Sequence, residues 1–347
     1  MGRAPPRAHG SADLLACQVP VRPAFPQRSS DHRDTTSGTA TQVRRRSDGS
    51  CGGSCLAYGH MIDGAVRDAY LARLGLEPES PSVQALFSIH RAHVEQVPWE
   101  TLWIQLGERW SIDASESMRR IATQGRGGYC FHLNGALSEL LLALGYDVVR
   151  HVGGVHGGGG ASDAEMTNHL VLTVHDLPND CNPGGVWYVD AGLGDALYEP
   201  IPLLPGAYYQ GPFRLVLDET SEGVGDWHLT HDAAGSFSGM AWRSAPAEMD
   251  AFAERNRWLS TSPDSWFVKY LVVQRRDATG VDVLRGLSLT RVGERAAAST
   301  LTTNDELNDV LHDLFGLDIR HTRKEARDAL WDKVLSAHET WEAAGRP

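Results

Sequence analysis

The pattern of hydrophobic and polar positions changes three times along this chain. Residues 1–60 show no sustained periodicity, whereas apolar residues recur at helical spacing from residue 61 to about residue 145. From residue 146, short apolar runs are separated by Gly, Pro, Asp and Asn, which predicts strands and turns. Helical spacing returns at about residue 304. This order predicts an α+β fold with an antiparallel core, because the regular strand–helix alternation of a parallel sheet is missing.

Two of the predicted helices have clear ends. The first carries its apolar side chains near one face and ends at Pro98. The second runs from about Cys130 to Leu144, with a stripe of leucines, and stops at Gly145. The glycine turn "GRGG" comes just before this second helix. Cys130 therefore lies where a loop becomes a helix.

Residues 1–60 also differ in composition from the rest of the chain. They are rich in Arg, Pro, Ser, Gly and Thr, and such a segment buries too little apolar area to offset its ordering entropy. We expect Met61 to be the true start of the protein, and residues 1–60 to be either a disordered extension or an upstream segment wrongly assigned to the protein. Cys51 and Cys55 have the spacing of half a zinc site, but no second pair of ligands follows, so no metal is expected.

Charge and cysteine content narrow the class of protein. The chain has 347 residues, 22% of them charged, and a formal net charge of −12, so we expect no nucleic-acid partner. No apolar run approaches the roughly 20 residues of a membrane span, and no signal-peptide core is present, so no membrane partner is expected. A sparse, odd set of cysteines predicts a cytoplasmic protein in which Cys130 forms no disulfide. The five cysteines are Cys17, Cys51, Cys55, Cys130 and Cys181.

The position of Cys130 is that of a candidate nucleophile. A helix N-terminus carries a partial positive charge, which favours a thiolate. Its N–H groups can also bind the oxyanion that forms when a thiolate attacks an acyl carbon. The preceding glycines allow a tight turn and leave room for a substrate. A buried structural cysteine is the alternative, and the local pattern leaves both open.

A thiolate nucleophile needs a base, and the base needs a group that orients it. His169 begins the predicted strand "HLVLTV", 39 residues after Cys130, and Asp190 follows 21 residues later at the end of the next strand. Two neighbouring antiparallel strands would bring them together, so that the carboxylate fixes the imidazole tautomer. The alternatives are a strand histidine that is merely hydrogen-bonded and an aspartate that caps a turn.

Six motifs together resemble the arylamine N-acetyltransferase family. The resemblance covers essentially residues 61–347, and the motifs run in the order expected of that family. It implies a cysteine-protease-like Cys–His–Asp triad, which maps onto Cys130, His169 and Asp190. In chain order the motifs are "YLARLGL", "IHRAHVEQVPWETL", "RGGYCFHLNGAL", "NHLVLTV", "YVDAGLG" and "STSPDSWF".

The resemblance also implies the domain organisation. After the extension of residues 1–60, it predicts a helical bundle over residues 61–145 that carries the nucleophile. An antiparallel β-barrel over residues 146–252 would carry His169 and Asp190. An α/β lid would follow over residues 253–347.

The reaction that the resemblance implies is ping-pong acyl transfer. Cys130 would attack the thioester of acetyl-CoA, the acyl-donor cosubstrate, and form an acetyl-cysteine. An aromatic amine would then take the acetyl group, with His169 handling the proton. Gly192 and Gly194 could bring the backbone close to the phosphates of CoA, or could only shape a turn.

Two departures from the family bear on the substrate. Many bacterial relatives have Phe where this chain has Trp99 and Leu193, so we expect a substrate pocket of different shape. Val155 is a third predicted lining residue. His132 could face the pocket too, but we expect it at a surface position of its helix.

These departures keep other functions open. The main alternative is an amide synthase of natural-product biosynthesis, which would take its acyl group from CoA or from an acyl carrier protein. A thiol hydrolase would use the same triad. A non-catalytic binding protein that retained the fold is a third alternative.

Overall fold

The computed structural model describes residues 64–221 and 223–345, and the structural statements below concern these residues. The predicted extension of residues 1–60 lies outside them, and so do Met61, Cys17 and the proposed half zinc site at Cys51 and Cys55. In the described ranges no helix combines the length and the apolar character that a membrane crossing requires.

The N-terminal part of the described chain is helical, as its periodicity predicts. Its elements are α1 (Gly64–Arg73), α2 (Val83–Gln96), the short strand β1 (Trp99–Glu100), α3 (Leu102–Gln105), α4 (Ala114–Gln124) and α5 (Cys130–Ala143). Ser82 caps α2 by accepting a hydrogen bond from the Ala85 N–H, and Asp113 caps α4 in the same way. Gly125 ends α4 in the left-handed conformation. Helix α4 packs against both α1 and α5.

Eight antiparallel strands form the larger sheet, in the spatial order β5–β4–β3–β2–β9–β8–β7–β6. They are β2 (Asp147–His156), β3 (His169–His175), β4 (Trp187–Val189), β5 (Ile201–Pro202), β6 (Gly206–Gln210), β7 (Phe213–Glu219), β8 (Trp227–Thr230) and β9 (Gly239–Pro246). The two edge strands, β5 and β6, are joined by residues 203–205 alone. The sheet therefore curls into a nearly closed barrel.

Apolar side chains fill the inside of this barrel. In β7, for example, Phe213, Leu215 and Leu217 are buried and alternate with more exposed residues, as expected of a strand with one face in a core. Trp242 of β9 stacks on Tyr188 of β4 at 4.9 Å between ring centroids. The barrel core thus lies next to the strand that ends at Asp190.

A second sheet has the strand order β1–β10–β11–β12–β13. Its later strands are β10 (Val272–Asp277), β11 (Gly280–Arg285), β12 (Ser288–Gly293) and β13 (Ala297–Thr300), and they follow a 3₁₀ turn (Met249–Phe252), α6 (Ala253–Thr261) and α7 (Trp266–Lys269). The chain continues through α8 (Asn304–Asp309), a π-helical turn (Val310–Leu314) and α9 (Lys324–Ala343).

The α+β fold predicted from the sequence is confirmed. The predicted domain boundaries stay predictions, and one pairing crosses them. Strand β1 lies within residues 61–145, yet Trp99 pairs with Gln274 of β10, within residues 253–347. The predicted bundle and lid therefore share a sheet, and the Glu100 N–H of β1 donates a hydrogen bond to the Gly128 carbonyl, in the turn before Cys130.

Candidate active site

Cys130 is the first residue of α5. Its thiol is free, is 5% exposed and lies 3.6 Å from the carbonyl oxygen of Asn168. The preceding residue, Tyr129, has an extended backbone, and its carbonyl accepts the N–H groups of His132 and Leu133. The N–H groups at the very start of an α-helix have no acceptor within the helix. The structure therefore places a buried free thiol beside unpaired backbone donors, and Cys130 forms no disulfide.

The turn before Cys130 is fixed by close packing and by a buried ion pair. Gly128 has φ +78°, and a Cβ there would lie 2.7 Å from Nδ1 of His132. The Glu100 N–H donates to the Gly128 carbonyl at 2.9 Å. The fully buried Glu100 carboxylate accepts from Arg126 Nε and from the Trp103 N–H, each at 3.2 Å. These bonds join β1 to the turn that positions the thiol.

His169 and Asp190 are brought together by two neighbouring strands. His169 begins β3, and Asp190 directly follows β4. The two strands pair in antiparallel register, with Leu172 opposite Val189. Nε2 of His169 lies 2.8 Å from Oδ2 of Asp190, and both side chains are buried.

The surroundings of His169 favour its charged form. Burial lowers the pKa of His169, but the negative charges of Asp190 and Cys130 and hydrogen bonds to both side chains raise it to about 10. Because Nε2 is bonded to Asp190, Nδ1 is the ring nitrogen left for the Cys130 thiol. A proton held by His169 at neutral pH favours a thiolate–imidazolium pair.

The Asp190 carboxylate has two donors on each oxygen. Oδ2 accepts from His169 and from the hydroxyl of Tyr188 at 2.9 Å. Oδ1 accepts from Nδ2 of Asn134 at 2.7 Å and from the Gly192 N–H at 2.9 Å. Four hydrogen bonds from three different parts of the chain and from His169 leave the carboxylate little freedom, so this network holds Asp190 in one orientation.

Asn134 connects three parts of the site, and the sequence reasoning above missed it. Besides Asp190, its Nδ2 donates to the Leu170 carbonyl at 2.6 Å, and its Oδ1 accepts the Ala191 N–H at 3.0 Å. Asn134 lies four residues after Cys130, which is one helical turn, so both face the same side of α5. That four-residue spacing is the sequence signal that could have identified Asn134. Tyr188 was missed as well, and its signal is that it lies two residues before Asp190 in an extended segment.

The three predicted pocket residues lie in two different places. The Trp99 ring lies 5.2 Å from the ring of Phe267 and 6.4 Å from that of Tyr129, the residue before Cys130. Leu193 is 6% exposed and belongs to the barrel core, against which Val155 also packs. Substrate-binding roles for all three stay predictions.

The two predicted CoA-binding glycines let the loop after Asp190 pack closely. A Cβ at Gly192 would lie 2.8 Å from Cα of Cys130, and one at Gly194, which has φ +78°, would overlap with Oε1 of Gln274. The Gly192 N–H already donates to Asp190. Close approach thus explains both glycines, and phosphate binding by them stays a prediction.

The sequence led us to expect His132 at the surface of α5, and this expectation is wrong. His132 is fully buried, with its ring 4.8 Å from that of Tyr129 and in edge contact with Trp103 and Trp110. Burial and the nearby Arg120 charge lower the pKa of His132 to about 3. The leucine stripe of α5 suggested one apolar face, but α5 is buried on nearly all sides.

Within the described ranges, no group of three or more His, Cys, Asp or Glu side chains is arranged to hold a metal ion.

Comparison with known proteins agrees with this geometry. The family model described as N-acetyltransferase matches residues 82–324. Arylamine N-acetyltransferase, pineal gland isozyme NAT-3, of Gallus gallus is 30% identical over 250 residues, which are 64% of this chain and 82% of that protein. Proansamycin X synthase of Amycolatopsis mediterranei is 28% identical over 160 residues, which are 44% of this chain and 59% of that protein.

The fold of this chain is also similar to that of a solved structure. The solved structure of the arylamine N-acetyltransferase from Salmonella typhimurium superposes with a TM-score of 0.66 at 25% sequence identity, covering 78% of this chain and 98% of that one. With the family model matching most of its length, this chain belongs to the arylamine N-acetyltransferase family.

Proposed function

We propose that this protein transfers an acetyl group from acetyl-CoA to an aromatic amine through a thioester on Cys130. The observation that carries the proposal is the arrangement of a buried thiol at a helix N-terminus and a histidine held in its charged form by Asp190. Relatives named arylamine N-acetyltransferases support the class of acceptor and the acetyl group. Trp99, next to Tyr129, is the pocket residue that the contacts support best.

The first half-reaction would acetylate Cys130. The thiolate attacks the carbonyl carbon of the thioester, and the N–H groups at the start of α5 stabilise the oxyanion. The bond between the acyl carbon and the sulfur of CoA then breaks. CoA leaves as a thiol by taking the proton from His169, which becomes neutral.

The second half-reaction would deacetylate Cys130. The amine nitrogen attacks the acetyl carbon and passes its proton to the neutral His169 as the carbon–sulfur bond breaks. Cys130 leaves as a thiolate, which restores the starting ion pair. Asp190 stays ionised throughout and stabilises the imidazolium in the resting state.

An amide synthase is the second candidate, because a 160-residue part of the chain is similar to proansamycin X synthase. Such an enzyme would use the same steps with a larger acyl group, delivered by CoA or by an acyl carrier protein. The cytoplasmic location inferred from the cysteine count stays a prediction.

The experiment is to incubate the protein with acetyl-CoA, without an amine, and to measure intact mass. We expect one added acetyl group, mapped to Cys130 by peptide analysis, and none in Cys130→Ser. Labelling that persists in Cys130→Ser would remove the proposed nucleophile. Labelling only by a carrier-bound acyl group would favour the amide synthase, and steady release of acetate without an amine would favour a hydrolase.

A further inference from the structure

One polar side chain of the smaller sheet lies beside the proposed active site without a role so far. Gln274 in β10 stands directly opposite Trp99 in β1, so the two side chains share one face of the sheet. Both reach the same point of the loop after Asp190. A Cβ at Gly194 would overlap with Oε1 of Gln274 and lie 3.6 Å from Cγ of Trp99.

The neighbours of Gln274 are the neighbours of the thiol. The loop that Gln274 covers also packs against Cys130, because Gly192 has no Cβ and its backbone can approach Cys130 closely. The Trp99 ring contacts Tyr129, which directly precedes Cys130. Gln274 therefore contacts the loop that also packs against the proposed nucleophile.

The amide of Gln274 differs from those of the other two buried glutamines. In Gln105, Nε2 donates to the Phe267 carbonyl at 2.8 Å, and in Gln210, Oε1 accepts the Tyr198 N–H at 2.7 Å. Gln274 is 5% exposed, and neither of its amide atoms has a hydrogen-bond partner among the described residues. A buried polar group without a partner calls for a ligand or a water molecule.

The amide of Gln274 also keeps access to open space. Some polar side-chain atoms without a hydrogen-bond partner are wholly inaccessible to solvent, for example in His90 and His132. The amide atoms of Gln274 do not belong to this group. An unpaired amide that is nearly buried but still accessible is the arrangement expected of a group that lines a binding cleft.

The chemistry of the amide identifies the class of ligand. A glutamine side chain offers two N–H donors and one carbonyl acceptor, which complement a secondary amide. The flexible arm that carries the thioester of CoA contains such amides, whereas the ring of a simple aromatic amine has none. We infer that Gln274 hydrogen-bonds an amide of the donor arm and so selects CoA-type acyl donors, an inference that rests on the proposed function.

The test compares two acyl donors in Gln274→Met, which keeps the length of the side chain and removes its hydrogen-bonding groups. With acetyl-CoA we expect KM to rise roughly three- to tenfold, the effect of one lost hydrogen bond. With p-nitrophenyl acetate, which has no arm, the loss in the rate of Cys130 acetylation should be distinctly smaller than the loss with acetyl-CoA. Gln105→Met is the matched control, expected to lower the melting temperature without changing the ratio between donors.

Three results would overturn this inference. Equal losses with both donors would show that Gln274 only supports the fold. A raised KM for the aromatic amine, with that for acetyl-CoA unchanged, would assign Gln274 to the acceptor. A wild-type protein that neither donor acetylates would overturn the proposed function itself, and the role of Gln274 with it.

Discussion

His169 and His132 are both buried histidines close to Cys130, yet their charge states are opposite. Burial lowers the pKa of each ring. At His132 the Arg120 charge lowers it further, to about 3, against a weaker opposing effect of the Ser111 backbone. Neither ring nitrogen has a well-aligned hydrogen-bond partner among the described residues. At His169 the charges and hydrogen bonds of Asp190 and Cys130 raise it to about 10.

The difference between the two pKa values shows which contacts keep a buried histidine protonated in this protein. Both rings lose the stabilisation that water gives to a charge, so burial alone produces the neutral form seen at His132. A carboxylate 2.8 Å away reverses the outcome at His169. The Tyr188, Asn134 and Gly192 donors in turn hold that carboxylate in one orientation. The charge state of each ring therefore depends on its partners more than on the histidine itself.

Removing the carboxylate should make His169 resemble His132, and this is the largest expected effect. In Asp190→Asn the pKa of His169 should fall far below about 10, because burial is then weakly opposed. We expect kcat for acetyl transfer to drop by roughly 10³- to 10⁴-fold. Alkylation of Cys130 by iodoacetamide, measured against pH, should lose the broad rate plateau that an imidazolium stable up to about pH 10 supports.

Asp195 supplies the matched control. It is also buried, and one of its carboxylate oxygens lies 3.4 Å from Nε2 of the buried His231. Asp195→Asn should cost stability but leave the pH profile of Cys130 alkylation in place. If Asp195→Asn and Asp190→Asn changed that profile equally, the special role of Asp190 would be wrong.

Loss of one donor to the carboxylate should have an intermediate effect. Tyr188→Phe removes the hydroxyl that donates to Oδ2 of Asp190, the oxygen that also binds His169. A hydrogen bond to a buried charge contributes roughly 1.5–3 kcal/mol, so the free energy of unfolding in urea should fall by about that amount. With the carboxylate less well fixed, we expect kcat to fall roughly tenfold.

Tyr208 tests whether that effect is specific. Its hydroxyl donates to the Leu204 carbonyl at 2.7 Å, and to no carboxylate. Tyr208→Phe should therefore destabilise the barrel and leave kcat of the remaining folded enzyme unchanged. A similar loss of kcat in both variants would mean that Tyr188 acts only through stability.

The main elements could be predicted from the sequence because their signals are local, whereas the candidate triad was selected only with the help of the family resemblance. Helical periodicity, caps and glycine turns are read within a few residues, and they placed Cys130 at the start of α5. Alternating apolar runs placed His169 and Asp190 on consecutive strands. Strand β9 gives a weaker signal, because only the first half of "GMAWRSAP" is buried and its outer half carries no apolar pattern.

The surroundings of the triad could not be read in this way because they are contacts through space. Gln274 meets the site only because β1 joins the second sheet, a pairing across more than 170 residues of sequence. The burial of His132 depends on Trp103 and Trp110, which pack over a face of α5 that its own sequence leaves ambiguous. Charge states follow from such contacts, so they were beyond the sequence as well.

Removing His132 should leave catalysis unchanged and alter only how stability depends on pH. Its ring nitrogens have no partner, so His132→Leu breaks no hydrogen bond, and similar volume should keep the change at neutral pH within about 1 kcal/mol. The pKa of His132 is about 3 in the folded protein, against about 6.5 when unfolded. The unfolded chain thus binds more protons between these values, and wild-type stability must fall as the pH is lowered.

The size of that fall gives the final test of the comparison. Between pH 7 and pH 5, His132 should cost the wild type about 2 kcal/mol that His132→Leu retains, as measured by urea unfolding at both values. His93 is also buried with a pKa of about 3, but it is present in both proteins and cancels. If the wild type and His132→Leu lost the same stability between pH 7 and pH 5, the pKa of His132 would not be lowered by folding. The contrast with His169 would then be wrong. If kcat fell in His132→Leu, the histidine would have a catalytic role that its unpaired ring nitrogens do not indicate.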